Sequence, residues 1–311
     1  MSRDYRSKKI VVIGSGLMGC GIAQVFATHN IHSVICDPID GSRNTALDRI
    51  RTNLQMQGID DAPLAYVRVV ADFLDEVGDA DFVIEAAPEK LPLKQEIFAS
   101  LVASTAAHCI LASNTSVIPI RDIAAGLEHA DRIIGCHWWN PPYLLPLVEV
   151  VQSDRSSIES VEAMIDLLQF VDKKPIHVKK DVTGFVANRM QHALWREAIA
   201  LINDGICDAD TIDIAVKNSF GLRLAVLGPI ENADLVGLEL TQDIHNVIFP
   251  ELNADSVPAN ILKEKIAKGE LGMKTGQGLR SWTPEQAKQV SQDLISYLLR
   301  VTENPFPHSD S

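Results

Sequence analysis

The sequence has no apolar run approaching the roughly 18 residues that a membrane span requires. Its charged first nine residues lead into only a short apolar stretch, too brief for the core of a secretory signal, so neither a membrane segment nor a targeting segment is expected. Positive charge is also scarce. Lys and Arg number 28 against 41 Asp and Glu, a net charge of −13. Nucleic acid and anionic membrane surfaces need clustered positive charge, so both are excluded as partners and any anionic ligand must be caught locally. The five cysteines, Cys20, Cys36, Cys109, Cys136 and Cys207, form no C-x-x-C pair, and their odd number speaks against a disulfide framework. Reduced thiols in a cytoplasmic protein are expected, and no metal site. With 18 Gly and 15 Pro, both scattered, the chain is neither collagen-like nor of low complexity. What remains is an ordinary globular composition in 311 residues, enough for about two domains at 100–200 residues each.

From residue 9 to about 180, short β-branched runs alternate with amphipathic stretches, the pattern of βαβ units and a parallel sheet. Strands are expected at 10–13, 33–36, 68–70, 82–84, 110–112, 133–136, 147–151 and 176–178, and helices at 17–29, 42–57, 93–103 and 157–170. Beyond Asp181 the period changes. Val182, Val186, Met190, Leu194, Ala198 and Ile202 recur every four residues, which predicts one long helix ending near Gly205. Stretches 209–218, 230–247, 259–268 and 284–299 also read as helical, and 303–311 as a disordered tail. The expected fold is therefore a Rossmann-type doubly wound α/β sheet over residues 1–180, followed by an all-α domain over 181–311. Long apolar helices in a small domain suit burial in a partner subunit, so a homodimer through the helical domain is expected.

Gly14-Ser15-Gly16-Leu17-Met18-Gly19 fits G-x-G-x-x-G directly after an apolar strand and opens a helix. That context lets the glycines make a tight turn and admit a pyrophosphate to the helix N-terminus. The second strand ends in Asp37, whose carboxylate would accept hydrogen bonds from ribose hydroxyls and repel a 2′-phosphate. Pro38-Ile39-Asp40 offers no adjacent arginine, so NAD is favoured over NADP. A second cluster comprises Ser113-Asn114-Thr115-Ser116, His137 within the run 135–142, and Glu149 within an apolar strand. Taken singly, a serine or histidine is usually a satisfied polar group; polar groups at the ends of successive strands are harder to dismiss, because open parallel sheets bind ligands there. His137 is the natural general base, and pairing with Glu149 is the simplest way to satisfy both.

At this point the chain resembles the L-3-hydroxyacyl-CoA dehydrogenase superfamily over nearly its whole length. The glycine loop, E-A-A-P-E-K-L-P-L-K from Glu85, S-N-T-S from Ser113, H-W-W-N-P from His137, G-F-V-A-N-R from Gly184, G-P-I-E-N-A-D-L-V-G-L from Gly228 and K-T-G-Q-G from Lys274 all match. The resemblance implies an NAD-dependent dehydrogenase with a His137–Glu149 dyad and with Ser116 and Asn188 polarising the substrate oxygen. It also implies cofactor contacts from the loop residues Gly14, Gly16, Leu17, Met18 and Gly19, together with Asp37, Ala87, Glu89, Lys94, Asn114, Ser116, Asn140 and Lys274.

One departure bears on the substrate. Where the CoA-using members carry a long lysine-rich hairpin, residues 38–84 hold four basic and nine acidic residues, a net charge of −5 that should repel the phosphates of CoA. The runs from Asn140 and Phe220 resemble the branch that contains L-gulonate, carnitine and pyridine-carboxylate dehydrogenases, whose substrates are free carboxylates. In that branch an arginine stands at Arg223, and a guanidinium fork suits a carboxylate. The expected function is oxidation of an alcohol or hydrated aldehyde on a small carboxylate, such as the pyridine-carboxylate aldehyde of vitamin B6 breakdown. The rival readings are a 3-hydroxyacyl-CoA dehydrogenase and a non-catalytic crystallin-like structural protein. Side chains alternate along a strand, so Cys136 should face away from His137 and take no part in catalysis.

Overall fold

The computed structural model describes residues 4–303, and the tail expected to be disordered lies outside them apart from residue 303. The chain divides into two compact units, Met1–Arg189 and Met190–Ser311.

The first unit is built on an eight-stranded sheet in the order β3-β2-β1-β4-β5-β6-β7-β8. The strands are β1 (Ile10–Ile13), β2 (Ser33–Cys36), β3 (Val67–Val70), β4 (Phe82–Glu85), β5 (Ile110–Ser113), β6 (Ile133–Trp138), β7 (Leu147–Val151) and β8 (Lys174–Val178). Strands β1 to β6 run parallel in the Rossmann order 3-2-1-4-5-6. Their residues alternate between two cores: Ile10, Val12, Ile134, Cys136 and Trp138 pack on one face, and Val11, Ile13, Leu111 and Ile133 on the other. Burial on both faces explains why these strands read as continuous apolar runs.

Flanking the sheet are helices α1 (Leu17–Thr28), α2 (Asp40–Asn44), α3 (Ala46–Met56), α4 (Leu91–Ser104), α5 (Ile120–Ile123) and α6 (Ile158–Phe170). The helix expected over 42–57 is thus two, split at Thr45. A second correction concerns direction. Strand β7 pairs with β6 antiparallel, and β8 follows β7, so the last two strands oppose the other six. Only residues 139–146 join β6 to β7, and a parallel crossover needs about a dozen or more.

The long helix α7 (Ala187–Asn203) begins five residues later than its apolar period suggested. Gly184 and Phe185 sit at φ 75° and 49°, in the left-handed region, where a right-handed helix cannot pass. The second unit continues with α8 (Ala209–Lys217), α9 (Phe220–Arg223), α10 (Pro229–Val236), α11 (Leu238–Ile248), α12 (Asn260–Ala267) and α13 (Pro284–Glu303). The single helix expected over 230–247 is broken at Gly237, whose φ of 100° only glycine adopts readily. No helix among the described residues is long and apolar enough to cross a membrane.

Candidate active site

The β1–α1 turn makes the first half of the site. A Cβ on Gly14 would come 2.7 Å from the carbonyl oxygen of Ala86, and one on Gly19 would come 1.9 Å from that of Gly14. Both glycines are demanded by the chain's own packing. A Cβ on Gly16 would meet nothing within 4 Å, so its bareness serves an approach from outside the chain. Gly16 caps α1 with no side-chain hydrogen bond and no acidic residue in the first turn, which leaves the N–H groups and the positive end of the helix for an anion.

Beside this turn Asp37 accepts hydrogen bonds from the backbone N–H and hydroxyl of Ser15, both at 2.8 Å, and from the N–H of Ile39 at 2.9 Å. Burial works to raise its pKa, but these bonds prevail and hold the carboxyl below its ordinary 3.8. An arginine does come near, contrary to the sequence reading. Arg43 donates to the Asp37 carbonyl at 2.7 Å, but its charge is met by Asp40. A cleft of ≈ 910 Å³ opens here, lined by Gly14, Gly16, Asp37, Ala87 and Ile97 among others. Leu17 projects from α1 at 67% exposed, and Met18 packs against the core.

Under the cleft lies a buried ionic cluster. Lys94, 1% exposed, donates to the two carboxylate oxygens of Glu85 at 2.7 and 3.0 Å and lies 3.4 Å from Glu89. Glu89 in turn accepts from the hydroxyl of Thr115 at 2.6 Å and from the N–H groups of Ser116 and Val117. Despite half-burial, which opposes its charge, those bonds and Lys94 lower the Glu89 pKa. Glu85 also accepts from Ser113 at 2.6 Å and from the Ala87 N–H at 2.7 Å. Lys94 is therefore an internal counter-ion that orders the turns after β4 and β5, not a free surface charge. Asn114 is similarly engaged, accepting from the Trp138 N–H at 2.8 Å.

The second half of the site centres on His137 and Glu149, direct partners across the antiparallel β6–β7 pair. The imidazole Nδ1 lies 2.7 Å from Glu149 Oε2. The other carboxylate oxygen accepts from the N–H groups of Val186 and Ala187 at 2.9 and 3.1 Å, where α7 begins. Burial alone would push the Glu149 carboxyl up. The bonds from His137 and the two N–H groups prevail and hold it below 4.5, so it is ionised. Glu149 is thus at mid-strand on a reversed strand, not at a carboxyl end as the parallel pattern suggested. The rings of Trp139 and Phe185 flank the imidazole, with centroids 5.5 and 5.7 Å away.

Asn188, in the first turn of α7, donates to the Ser116 carbonyl at 3.1 Å. The start of α7 thus meets both halves of the site, Asn188 through the Ser116 carbonyl and the N–H groups of Val186 and Ala187 through Glu149, which holds His137. Asn140 is exposed at the start of the β6–β7 loop. Arg223 and Lys274 are exposed residues of the second unit. Cys136 is fully buried in the core on the opposite face of β6, and burial pushes its thiol up to about 12. Among the described residues no group of three or more His, Cys, Asp or Glu is placed to hold a metal ion.

Three contributors were not assigned a role from sequence: Ser15, Glu85 and Phe185. Glu85 carried the same signal as Glu149, a carboxylate in an otherwise apolar strand. Ser15 and Phe185 gave none, because their roles arise from tertiary contact.

A match to the model of the 3-hydroxyacyl-CoA dehydrogenase NAD-binding domain spans residues 9–182, and one to the C-terminal domain of the same enzymes spans 184–282. The chain belongs to the 3-hydroxyacyl-CoA dehydrogenase family. It is an NAD-dependent dehydrogenase, and the bare Gly16, the uncapped α1 and the Asp37 carboxylate fit that cofactor. Within the family it is 33% identical over 305 residues to 5-formyl-3-hydroxy-2-methylpyridine 4-carboxylate 5-dehydrogenase of Mesorhizobium japonicum, covering 94% of this chain and 97% of that one. L-Carnitine dehydrogenase of Pseudomonas aeruginosa is 37% identical over 244 residues, 76% of this chain and 75% of its own. A crystal structure of the formylpyridine-carboxylate dehydrogenase, described as an NAD⁺-dependent dismutase, superposes with a TM-score of 0.88 at 32% identity, covering 96% of this chain and 99% of that one.

Proposed function

We propose that the protein oxidises a hydrated aldehyde on a small free carboxylate, with a formylpyridine carboxylate as the leading substrate. The observation that carries this reading is the buried, ionised Glu149 bonded to Nδ1 of His137, which leaves Nε2 as a base. Near-full-length similarity to a formylpyridine-carboxylate dehydrogenase directs that base to this substrate class.

NAD supplies the hydride acceptor when bound. It would lie along Gly14, Gly16, Leu17, Met18 and Gly19, with its ribose hydroxyls on Asp37 and its far half near Ala87, Glu89, Lys94, Asn114, Ser116, Asn140 and Lys274. His137 removes the proton from a hydroxyl of the geminal diol, and Glu149 stabilises the imidazolium that forms. Ser116 and Asn188 donate hydrogen bonds to the reacting oxygen, and Arg223 takes the substrate carboxylate. By microscopic reversibility the protonated His137 returns its proton to a second, unhydrated aldehyde. Two aldehydes and one water thus become one acid and one alcohol.

The acidic 38–84 segment folds into short elements that offer no lysine-rich surface, which supports a carboxylate over a CoA thioester. We further propose that residues 1–180 form the cofactor domain and 181–311 a substrate and dimerisation domain. Among the described residues of the second unit Ala200 is the one buried apolar side chain, while Leu222, Ile230, Leu235 and Val247 are 73–76% exposed. Such a unit needs cover, and a second copy supplies it. The five unpaired cysteines suit a reducing cytoplasm.

The test is product analysis with a formylpyridine carboxylate and catalytic NAD. Acid and alcohol should form in equal amounts. Acid alone, with stoichiometric NADH, would remove the reductive half, and no turnover would remove the substrate.

A further inference from the structure

The turn between α6 and β8 buries a cation that the chemistry above does not use. Lys173 is only 8% exposed, yet its partners are neutral: Nζ donates to the carbonyl of Pro142 at 2.6 Å and to that of Leu145 at 3.1 Å, and it lies 5.6 Å from the centre of the Trp138 ring. An ammonium is costly to bury without a carboxylate, and an apolar side chain of similar length would avoid that cost. Both carbonyls belong to the β6–β7 loop, residues 139–146. The other side of this loop is seated on α1, where a Cβ on Gly21 would come 2.9 Å from the Pro142 ring. Gln57, just past α3, reaches the Tyr143 carbonyl at 3.4 Å. The loop is therefore gripped between the nucleotide-binding helix and one ammonium. It begins with Trp139, packed on His137, and Asn140.

We propose that Lys173 is a positioning residue whose ammonium clamps the β6–β7 loop and so sets Asn140 and Trp139 against the bound NAD and His137. This rests on the reading that both belong to the active site. Burial pushes the Lys173 amine down to about 8, with the nearby Asp172 carboxylate opposing the shift. The charged form is thus lost as pH rises through that value, and the two carbonyls lose their donor. The titratable groups around it are Asp172, which is paired with His29 just past α1 at 3.1 Å, Tyr143 in the loop, whose phenol burial pushes up, and Cys136 of β6, up at about 12.

The test titrates the full-length chain from neutral to alkaline pH, reading tryptophan fluorescence and the dissociation constant for NAD. Wild type should show a fluorescence transition near pH 8, with NAD affinity falling through the same range. Lys173→Met should lack the transition and bind NAD about tenfold or more weakly at neutral pH, the scale of one charge-assisted hydrogen bond. The same transition in Lys173→Met, or unchanged NAD affinity in a variant with a native circular dichroism spectrum, would overturn the proposal. Should that variant not fold, NAD affinity of wild type that stays flat through pH 8 overturns it equally. Because neither readout involves turnover, a chain that shows the transition yet oxidises no carboxylate keeps the clamp and loses the functional reading.

Discussion

Replacing Glu149 separates its bonds to the start of α7 from the role proposed for it, holding the proton on Nδ1 of His137. The side chain is fully buried and accepts three hydrogen bonds, one from His137 and two from the N–H groups of Val186 and Ala187. In Glu149→Ala all three donors lose their partner in a largely buried site. At about 1–3 kcal/mol for each orphaned group, and about 3–5 kcal/mol for breaking a buried pair, the variant should lose on the order of 3–5 kcal/mol of stability. Glu149→Gln should behave differently. Its amide oxygen can still accept from Val186 and Ala187, while its NH₂ faces Nδ1 and forces the neutral ring to carry its proton on Nε2, the nitrogen needed as base. The kcat should fall by roughly 10²–10⁴-fold with the thermal midpoint nearly kept, the scale seen when an orienting carboxylate becomes an amide. Initial rates of acid formation, thermal denaturation and NAD binding separate the effects. A Gln variant that turns over at close to the wild-type rate would refute the base assignment, and a parallel loss of NAD affinity would show that Glu149 acts on the cofactor instead.

Asp37→Ala leaves Ser15 and Ile39 without their acceptor and removes the proposed ribose partner, so the KM for NAD should rise about 10- to 150-fold and the margin over NADP narrow; a wild type that already prefers NADP would contradict the assignment. Cys136→Ala should retain turnover, because the thiol is neutral with a pKa of about 12 and faces the opposite core; abolished activity in a folded variant would restore a thiol mechanism. The carboxyls of Asp37, Glu89 and Glu149 all lie below their ordinary values in the fold. Their contribution to stability is therefore fully present above 3.8–4.5 and is lost as pH falls through the lowered values. Denaturation midpoints should be flat from neutral pH down to that range and drop steeply below it. An onset of acid unfolding well above it would show that another group controls it.

Much of the fold was legible because its signals are local. The apolar strands with their two-sided burial, the glycine turn and Asp37 closing β2 each follow from a few adjacent residues. His137 and Glu149 were legible for a different reason, as the polar residues of strands with no other polar content. What escaped depends on contact across the chain. The reversal of β7 was encoded in the brevity of residues 139–146, a length argument that periodicity does not make. The late start of α7 turns on Gly184 and Phe185, where the four-residue apolar period continued through a left-handed turn. The resemblance offered Lys94 as a cofactor contact and Lys173 drew no reading, whereas in the fold each is an internal donor, one to a glutamate pair and the other to a loop.

The central claim is that this member of the family acts on a free carboxylate. The most direct measurement is the ratio of kcat/KM for a formylpyridine carboxylate to that for 3-hydroxybutyryl-CoA with NAD, taken on the wild type and on Arg223→Ala. The account predicts a ratio far above one in the wild type that falls about 10- to 150-fold in Arg223→Ala through loss of the carboxylate anchor. A wild type that favours the CoA thioester would contradict it.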